Sequence, residues 1–234
     1  MKKLLALGLV IILFCSCSST NTVDQIPIPL QNVSGYVLLY NEFGQLQQNY
    51  SGVTVTMNGN YTSTTDTAGK FFVKYVPTGY YTVTYSQVGY GTYSLYHYEY
   101  LSGKTLLPTA NLYANSTTTL SGLTAKATGS SVEVTGTLDP VAASAEPRGV
   151  ILFTSLSNQV SPDYYTQAFF MGKSTAATIS YTFNPYSYYP KGQTIYFVAY
   201  GIADTIPYIN STTGQLQYTS LGPQPSNLAS VVAP

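Results

Sequence analysis

The feature that most limits what this chain can fold into is a two-residue period that recurs in short segments, each cut off by a turn signal. Val53, Val55 and Met57 alternate with threonines, and Tyr81, Val83 and Tyr85 alternate with Thr82, Thr84 and Ser86. Val132 to Leu138 and Ala177 to Phe183 repeat the pattern. Alternating apolar and polar side chains fall on opposite faces of an extended chain, which suits a half-buried strand. Between the segments lie Asn58-Gly59-Asn60, Asp66 to Gly69, Pro77-Thr78-Gly79, Asp139-Pro140 and Pro190 to Gln193. These residue types reverse a chain because they supply special backbone angles or bond their own amides. No long run carries a helical period together with helix formers. The pattern predicts an all-β protein built as antiparallel β-sandwiches.

The start of the chain reads differently. Lys2 and Lys3 precede an apolar run from Leu4 to Phe14, and small polar residues follow. That is the order of a secretory signal. The run is shorter than the roughly 20 apolar residues that span a bilayer. The following LFCSCSST resembles the lipobox of bacterial lipoproteins, in which a small residue precedes the lipidated cysteine. Ser16 before Cys17 fits that pattern, whereas bulky Phe14 stands before Cys15. The resemblance implies cleavage ahead of Cys17, acylation of Cys17 and attachment to the outer membrane. Each buried CH₂ contributes about 0.8 kcal/mol, so more than one acyl chain anchors stably. The expected organisation is a lipoprotein signal peptide over 1–16 and a flexible tether over 17–31. Two consecutive sandwiches over 32–114 and 115–222 follow, then a C-terminal tail over 223–234. Cys15 falls in the signal peptide and Cys17 is the expected acylation site, so an exported body without disulfides must rely on its apolar cores.

Charge narrows the function. Charged residues make up 8% of the chain, against about 25% in an average soluble domain. Nine basic and nine acidic side chains cancel. With no basic stripe to displace counterions from phosphates, nucleic acid is excluded as a partner. The 24 tyrosines and many Thr, Ser, Asn and Gln instead give a surface of hydroxyls and amides.

In the first half, GYVLLYNEFGQL, GVTVTM and STTDTAGKFFVKYVPTGYYTVTYSQVGY occur in that order. They resemble the carboxypeptidase regulatory-like domain, a transthyretin-like sandwich that serves as an accessory or spacer. Within the motif Asp66 is expected to cap a turn, and Gly69 and Gly79 to supply backbone freedom. In the second half, VTGTL, PRGVILFTS, ISYTF, PKGQTIYFVAYGIAD and LQYTSL resemble a bacterial fibronectin type III-like domain. Tyr196 and Tyr200 stand where that family has strand tyrosines, and Val198 replaces its usual arginine. The resemblance implies a seven-stranded antiparallel sandwich that spaces or binds. Gly149 to Thr154, a continuous apolar run, reads as a buried strand, and Gly214 to Ser220 as the last one.

Catalytic residue sets are missing from the sequence. His97 is the only histidine, and one histidine cannot assemble a zinc site. His97 and Glu99 are expected on a solvated strand face, opposite a stripe formed by Tyr96, Tyr98 and Tyr100. There is no nucleophile elbow, no dense oxygen-ligand loop and no glycine-rich phosphate cradle. The sequence therefore predicts no enzyme, no metal and no cofactor. Tyrosine has a flat apolar face and a hydrogen-bonding tip, suited to sugar rings and protein surfaces. Tyr186, Tyr188 and Tyr189, in a loop bounded by prolines, are the candidate ligand site. Asp66-Thr67-Ala68 and Asp204-Thr205-Ile206 resemble an O-glycosylation signal of some Gram-negative envelopes, which makes Thr67 and Thr205 candidate acceptors. The expected role is an envelope lipoprotein that binds or spaces glycan or protein partners. The alternative is a subunit or accessory of an outer-membrane assembly, a fimbria-like polymer or a nutrient-uptake complex. A fimbrial subunit would offer a donor strand, for which Leu228 to Pro234 is the candidate. The frayed-end reading of that tail follows from its prolines.

Overall fold

The computed structural model describes residues 30–101, 106–141, 143 and 146–234. Cys17 and the leader lie outside the described residues. What is described is all-β, apart from one short 3-10 turn at Pro185–Ser187.

The first sandwich comprises β1 (Leu30–Tyr40), β2 (Thr54–Met57), β3 (Tyr61–Thr64), β4 (Lys70–Pro77), β5 (Gly79–Ser86), β6 (Tyr93–Tyr100) and β7 (Ala110–Tyr113). One sheet has the order β4-β1-β7 and the other β3-β2-β5-β6. Leu30 and Gln31, expected in the tether, instead pair with Pro77 and Val76 and belong to β1. The alternating positions meet between the sheets: Val53, Val55 and Met57 face Val83 and Tyr85, with Val33, Val37 and Leu39 of β1 opposite. Not every pair is antiparallel. β1 and β7 run parallel from Val37↔Ala110 to Tyr40↔Tyr113, because the chain crosses between sheets after β6 before it returns beside β1. The expected turn at Asp66 is present: its Oδ1 accepts from the N–H groups of Ala68 and Lys70, both at 2.9 Å. Gly69 closes that turn at φ +77°, and a Cβ there would lie 2.1 Å from the Val37 carbonyl oxygen. Only glycine fits such a backbone approach.

The second sandwich comprises β8 (Thr119–Thr128), β9 (Ser131–Asp139), β10 (Arg148–Ser155), β11 (Gln167–Ser174), β12 (Thr178–Phe183), β13 (Thr194–Ile202), β14 (Tyr208–Ile209), β15 (Leu216–Gln217) and β16 (Ala229–Val232). Its sheets are β11-β10-β13-β16 and β12-β9-β8, with β14 and β15 forming a separate small hairpin. β10 is buried on both faces, as its apolar run predicts. Val150 and Leu152 enter the core between the sheets. Ile151 and Phe153 point the other way, into a second cluster with Val198 and Ile202 that is covered by Tyr165, Tyr200 and Tyr218.

Two expectations for this half are corrected. The last strand is not Gly214 to Ser220, of which only Leu216 and Gln217 pair, and then with the hairpin partner β14. The tail over 223–234 is not frayed either, because Ala229–Val232 extends the larger sheet against β13. Asn227 fixes the approach by accepting from Leu123 N at 2.8 Å and donating to Leu123 O at 2.9 Å, and Ala233 is buried. The prolines at 223 and 225 precede this strand and leave its amides free to pair.

Candidate functional site

The site begins where the two sandwiches meet. Asn41 Oδ1 accepts from Phe43 N at 3.0 Å and Gln45 N at 2.9 Å, shaping the turn that carries Glu42 toward the second sandwich. Glu42 there accepts from Thr117 N at 2.7 Å and Thr117 Oγ1 at 2.8 Å, and pairs with Arg148 Nη1 at 3.2 Å. Arg148 Nη1 also donates to Thr117 Oγ1 at 2.8 Å, and its guanidinium lies 5.0 Å from the centre of the Phe43 ring. The two charged side chains are only 10% (Arg148) and 15% (Glu42) exposed. Nearby, Gly91 approaches so closely that a Cβ would lie 2.6 Å from the carbonyl carbon of Thr219.

The β14–β15 hairpin reaches back across this junction. It sets Tyr208 edge-on to Tyr93, with ring centres 5.6 Å apart, and stacked on Tyr96 at 6.1 Å. Tyr96 is available because β6 carries a bulge: Tyr81↔Tyr98 and Val83↔Leu95 leave two residues of β6 opposite one of β5, with His97 at φ +51°. The bulge breaks the expected tyrosine stripe. Tyr98 and Tyr100 stay with the core, while Tyr96 packs against the hairpin.

Between the hairpin and the first sandwich lies a cleft of about 340 Å³. Tyr93, Asn111 and Tyr113 line it from one side, and Asp204, Tyr208 and Thr219 from the other. Tyr113 is backed by Tyr40, whose ring stacks on it at 4.8 Å. Burial pushes the Tyr208 hydroxyl up to about 12. Burial also raises Tyr93, and raises Tyr113 with help from the charge of Asp204. Asp204 itself is raised by burial, against the lowering pull of backbone N–H bonds from Ile206 and Thr205 and of Lys173. The described lining is three tyrosines, two threonines, Ile206, Pro207, one amide and one carboxylate, a mix of apolar and hydrogen-bonding groups suited to recognition.

A smaller depression of about 210 Å³ lies beside it, lined by Tyr80, Tyr96, His97 and Thr212 among others. His97 stacks on Tyr80 with ring centres 4.3 Å apart, and the Tyr80 hydroxyl donates to Glu99 at 2.8 Å. Glu99 is thus engaged by a tyrosine. Among the described residues no three ligating side chains gather to hold a metal.

The tyrosine loop is divided by the fold. Tyr186 and Tyr188 are 44% and 45% exposed, but Tyr189 is 2% exposed and packs in the second core. Its inclusion in the candidate ligand site is corrected: its hydroxyl bonds to buried Thr154, which gives the polar tip a partner inside the sandwich. The Tyr186 hydroxyl donates to the carbonyl of Pro234. Thr67 and Thr205 are both exposed, each behind an aspartate whose Oδ1 accepts from the N–H two residues ahead, at 2.9 Å in Ala68 and 3.0 Å in Ile206. The cleft residues come together from positions about a hundred residues apart. In the sequence Tyr93 is one of a tyrosine cluster and Asp204 is part of a threonine triplet; nothing links them to Tyr208.

The fold and this cleft define a two-sandwich β protein with a tyrosine-walled depression at the junction. No protein-family profile matches the chain, and no curated protein matches it. Among solved structures, a DUF3823 family protein from Bacteroides uniformis aligns over 88% of this chain and 100% of its own, with 12% identity and a TM-score of 0.33. A cohesin–X-dockerin complex from Acetivibrio cellulolyticus aligns over 36% of this chain and 58% of its own, with 26% identity and a TM-score of 0.32. The major pilin SpaD from Corynebacterium diphtheriae aligns over 87% of this chain and 67% of its own, with 7% identity and a TM-score of 0.28.

Proposed function

We propose that this protein is a lipid-anchored, non-enzymatic binding module of the outer membrane that presents the junction cleft to a glycan, with Tyr186 and Tyr188 as a second exposed surface for a protein partner. The cleft carries the reading: Tyr93, Tyr113 and Tyr208 supply flat apolar faces, and Asn111, Thr219 and Asp204 supply the hydrogen-bonding groups that a sugar ring needs. Anchoring rests on the lipobox-like Ser16-Cys17, and Thr67 and Thr205 are proposed glycan acceptors because both are exposed on tight turns.

The alternative role as a polymer subunit gains nothing from the C-terminal segment. A donor strand must be free to enter a neighbour, and Ala229–Val232 is paired within its own sheet.

The test is a glycan array probed with the full chain and with Tyr208→Ser. Binding that the variant loses is the expected result; a chain that binds no glycan overturns the glycan reading. Anchoring is tested by Cys17→Ser, which is expected to release the protein from the membrane fraction. A variant that stays with the membrane overturns the lipid anchor. A glycopeptide mass search that finds Thr67 and Thr205 bare removes both acceptors.

A further inference from the structure

The lining of the junction cleft is asymmetric in charge. Asp204 is its one carboxylate, and among the described residues no lysine, arginine or histidine joins it there. Its Oδ1 accepts from Ile206 N at 3.0 Å and the N–H of Thr205 also bonds to it, which leaves acceptor capacity in a carboxylate with room for about four such bonds. The cation whose charge reaches Asp204 is Lys173, which does not line the cleft. A second carboxylate, Asp163, adds its negative field at Tyr208. Three tyrosines share the lining with Asp204, and an aromatic ring attracts a cation over its electron-rich face.

Resting on the glycan reading above, we propose that the cleft selects a sugar bearing a free amine, with the ammonium group paired to Asp204 and the ring laid against Tyr113 and Tyr208. A neutral sugar occupying the same space covers a carboxylate without neutralising it. An acidic sugar brings a second negative charge to a site with no basic side chain among its described lining residues. The volume, about 340 Å³, lies at the small end of small-molecule sites and suits one ring rather than an extended chain.

The experiment measures binding of matched sugars to the full chain in detergent by calorimetry and saturation-transfer NMR, at neutral pH. The probes are glucosamine, galactosamine, their N-acetyl forms, glucose, galactose and glucuronate. The expected order is amine above hydroxyl or N-acetyl by about tenfold or more, the range of a charge-assisted hydrogen bond, with glucuronate not bound. Asp204→Asn keeps an acceptor oxygen for Ile206 N and is expected to erase the preference, so that in the variant each amine sugar binds no better than its matched hydroxyl sugar. Equal binding of amine and hydroxyl sugars overturns the charge selection and leaves the cleft a sugar site. Binding of none of the probes, with no shift in the tyrosine resonances, overturns the sugar reading and this inference together.

Discussion

Glu42→Gln isolates the contact that joins the two sandwiches. The substitution keeps size and shape but removes the charge, leaving Arg148 beside a neutral amide at 10% exposure. An exposed ion pair is worth about 0–1 kcal/mol, whereas removing one partner of a buried pair costs about 3–5 kcal/mol. With exposures of 10% and 15% and two further bonds from Thr117, the pair lies nearer the buried limit. A loss of about 2–3 kcal/mol is expected, equivalent to roughly 4–12 °C in Tm for a chain of this size. The assay is urea unfolding followed by far-UV circular dichroism and by tyrosine fluorescence, since the chain has no tryptophan. Arg148→Met adds the second arm of the cycle. The double variant is expected to recover at least about 1 kcal/mol relative to the sum of the singles, because it no longer strands a charge. A loss below about 0.5 kcal/mol for Glu42→Gln, or strict additivity in the double variant, refutes the claim that this pair is desolvated and coupled.

Tyr85→Phe should stabilise the first sandwich by about 1 kcal/mol, because the Tyr85 hydroxyl is buried without a partner among the described residues; a lower urea midpoint would count against this. Gly91→Ala should cost about 1–3 kcal/mol by forcing the backbone off Thr219, and it should quicken iodide quenching or nitration of Tyr208; unchanged stability and unchanged reactivity would show that the junction yields freely. Deleting residues 227–234 should expose β13 as a bare sheet edge and drive aggregation, read by size-exclusion chromatography; a soluble monomer would mean β16 contributes little. The hydroxyls of Tyr165 and Tyr208, each raised to about 12 in the fold, ionise near 10 once unfolded. Their contribution is therefore complete below about pH 10 and is lost as pH rises toward about 12, so urea midpoints should fall through that window. Flat midpoints from pH 9 to 12 would contradict their burial.

Local pattern carried much of the fold, and long-range packing decided the rest. Val53, Val55 and Met57 face inward because alternation alone dictates it, and Asp66 with Gly69 makes its turn through bonds spanning four residues. Tyr189 looked like its loop neighbours, but its ring fills the second core and its hydroxyl meets Thr154, 35 residues away. The bulge at Tyr96–His97 follows from register against β5, which no feature within SLYHYEYL reveals. The final strand was hidden by prolines that precede it. The cleft was the least legible feature, since Tyr93, Asp204 and Tyr208 share a wall only after one sandwich lays a hairpin on the other.

The placement of β1 has a mechanical consequence. Its first part, Leu30 to Tyr36, is zipped to β4, and its last part, Val37 to Tyr40, to β7. The ladder bonds of an antiparallel pair lie across the strand axis. Tension drawn through Leu30 along the strand therefore strains a row of them together in shear, and they cannot be peeled apart singly. A chain held by its amino-terminal side against flow or a moving partner would meet that resistance at the first of the described strands.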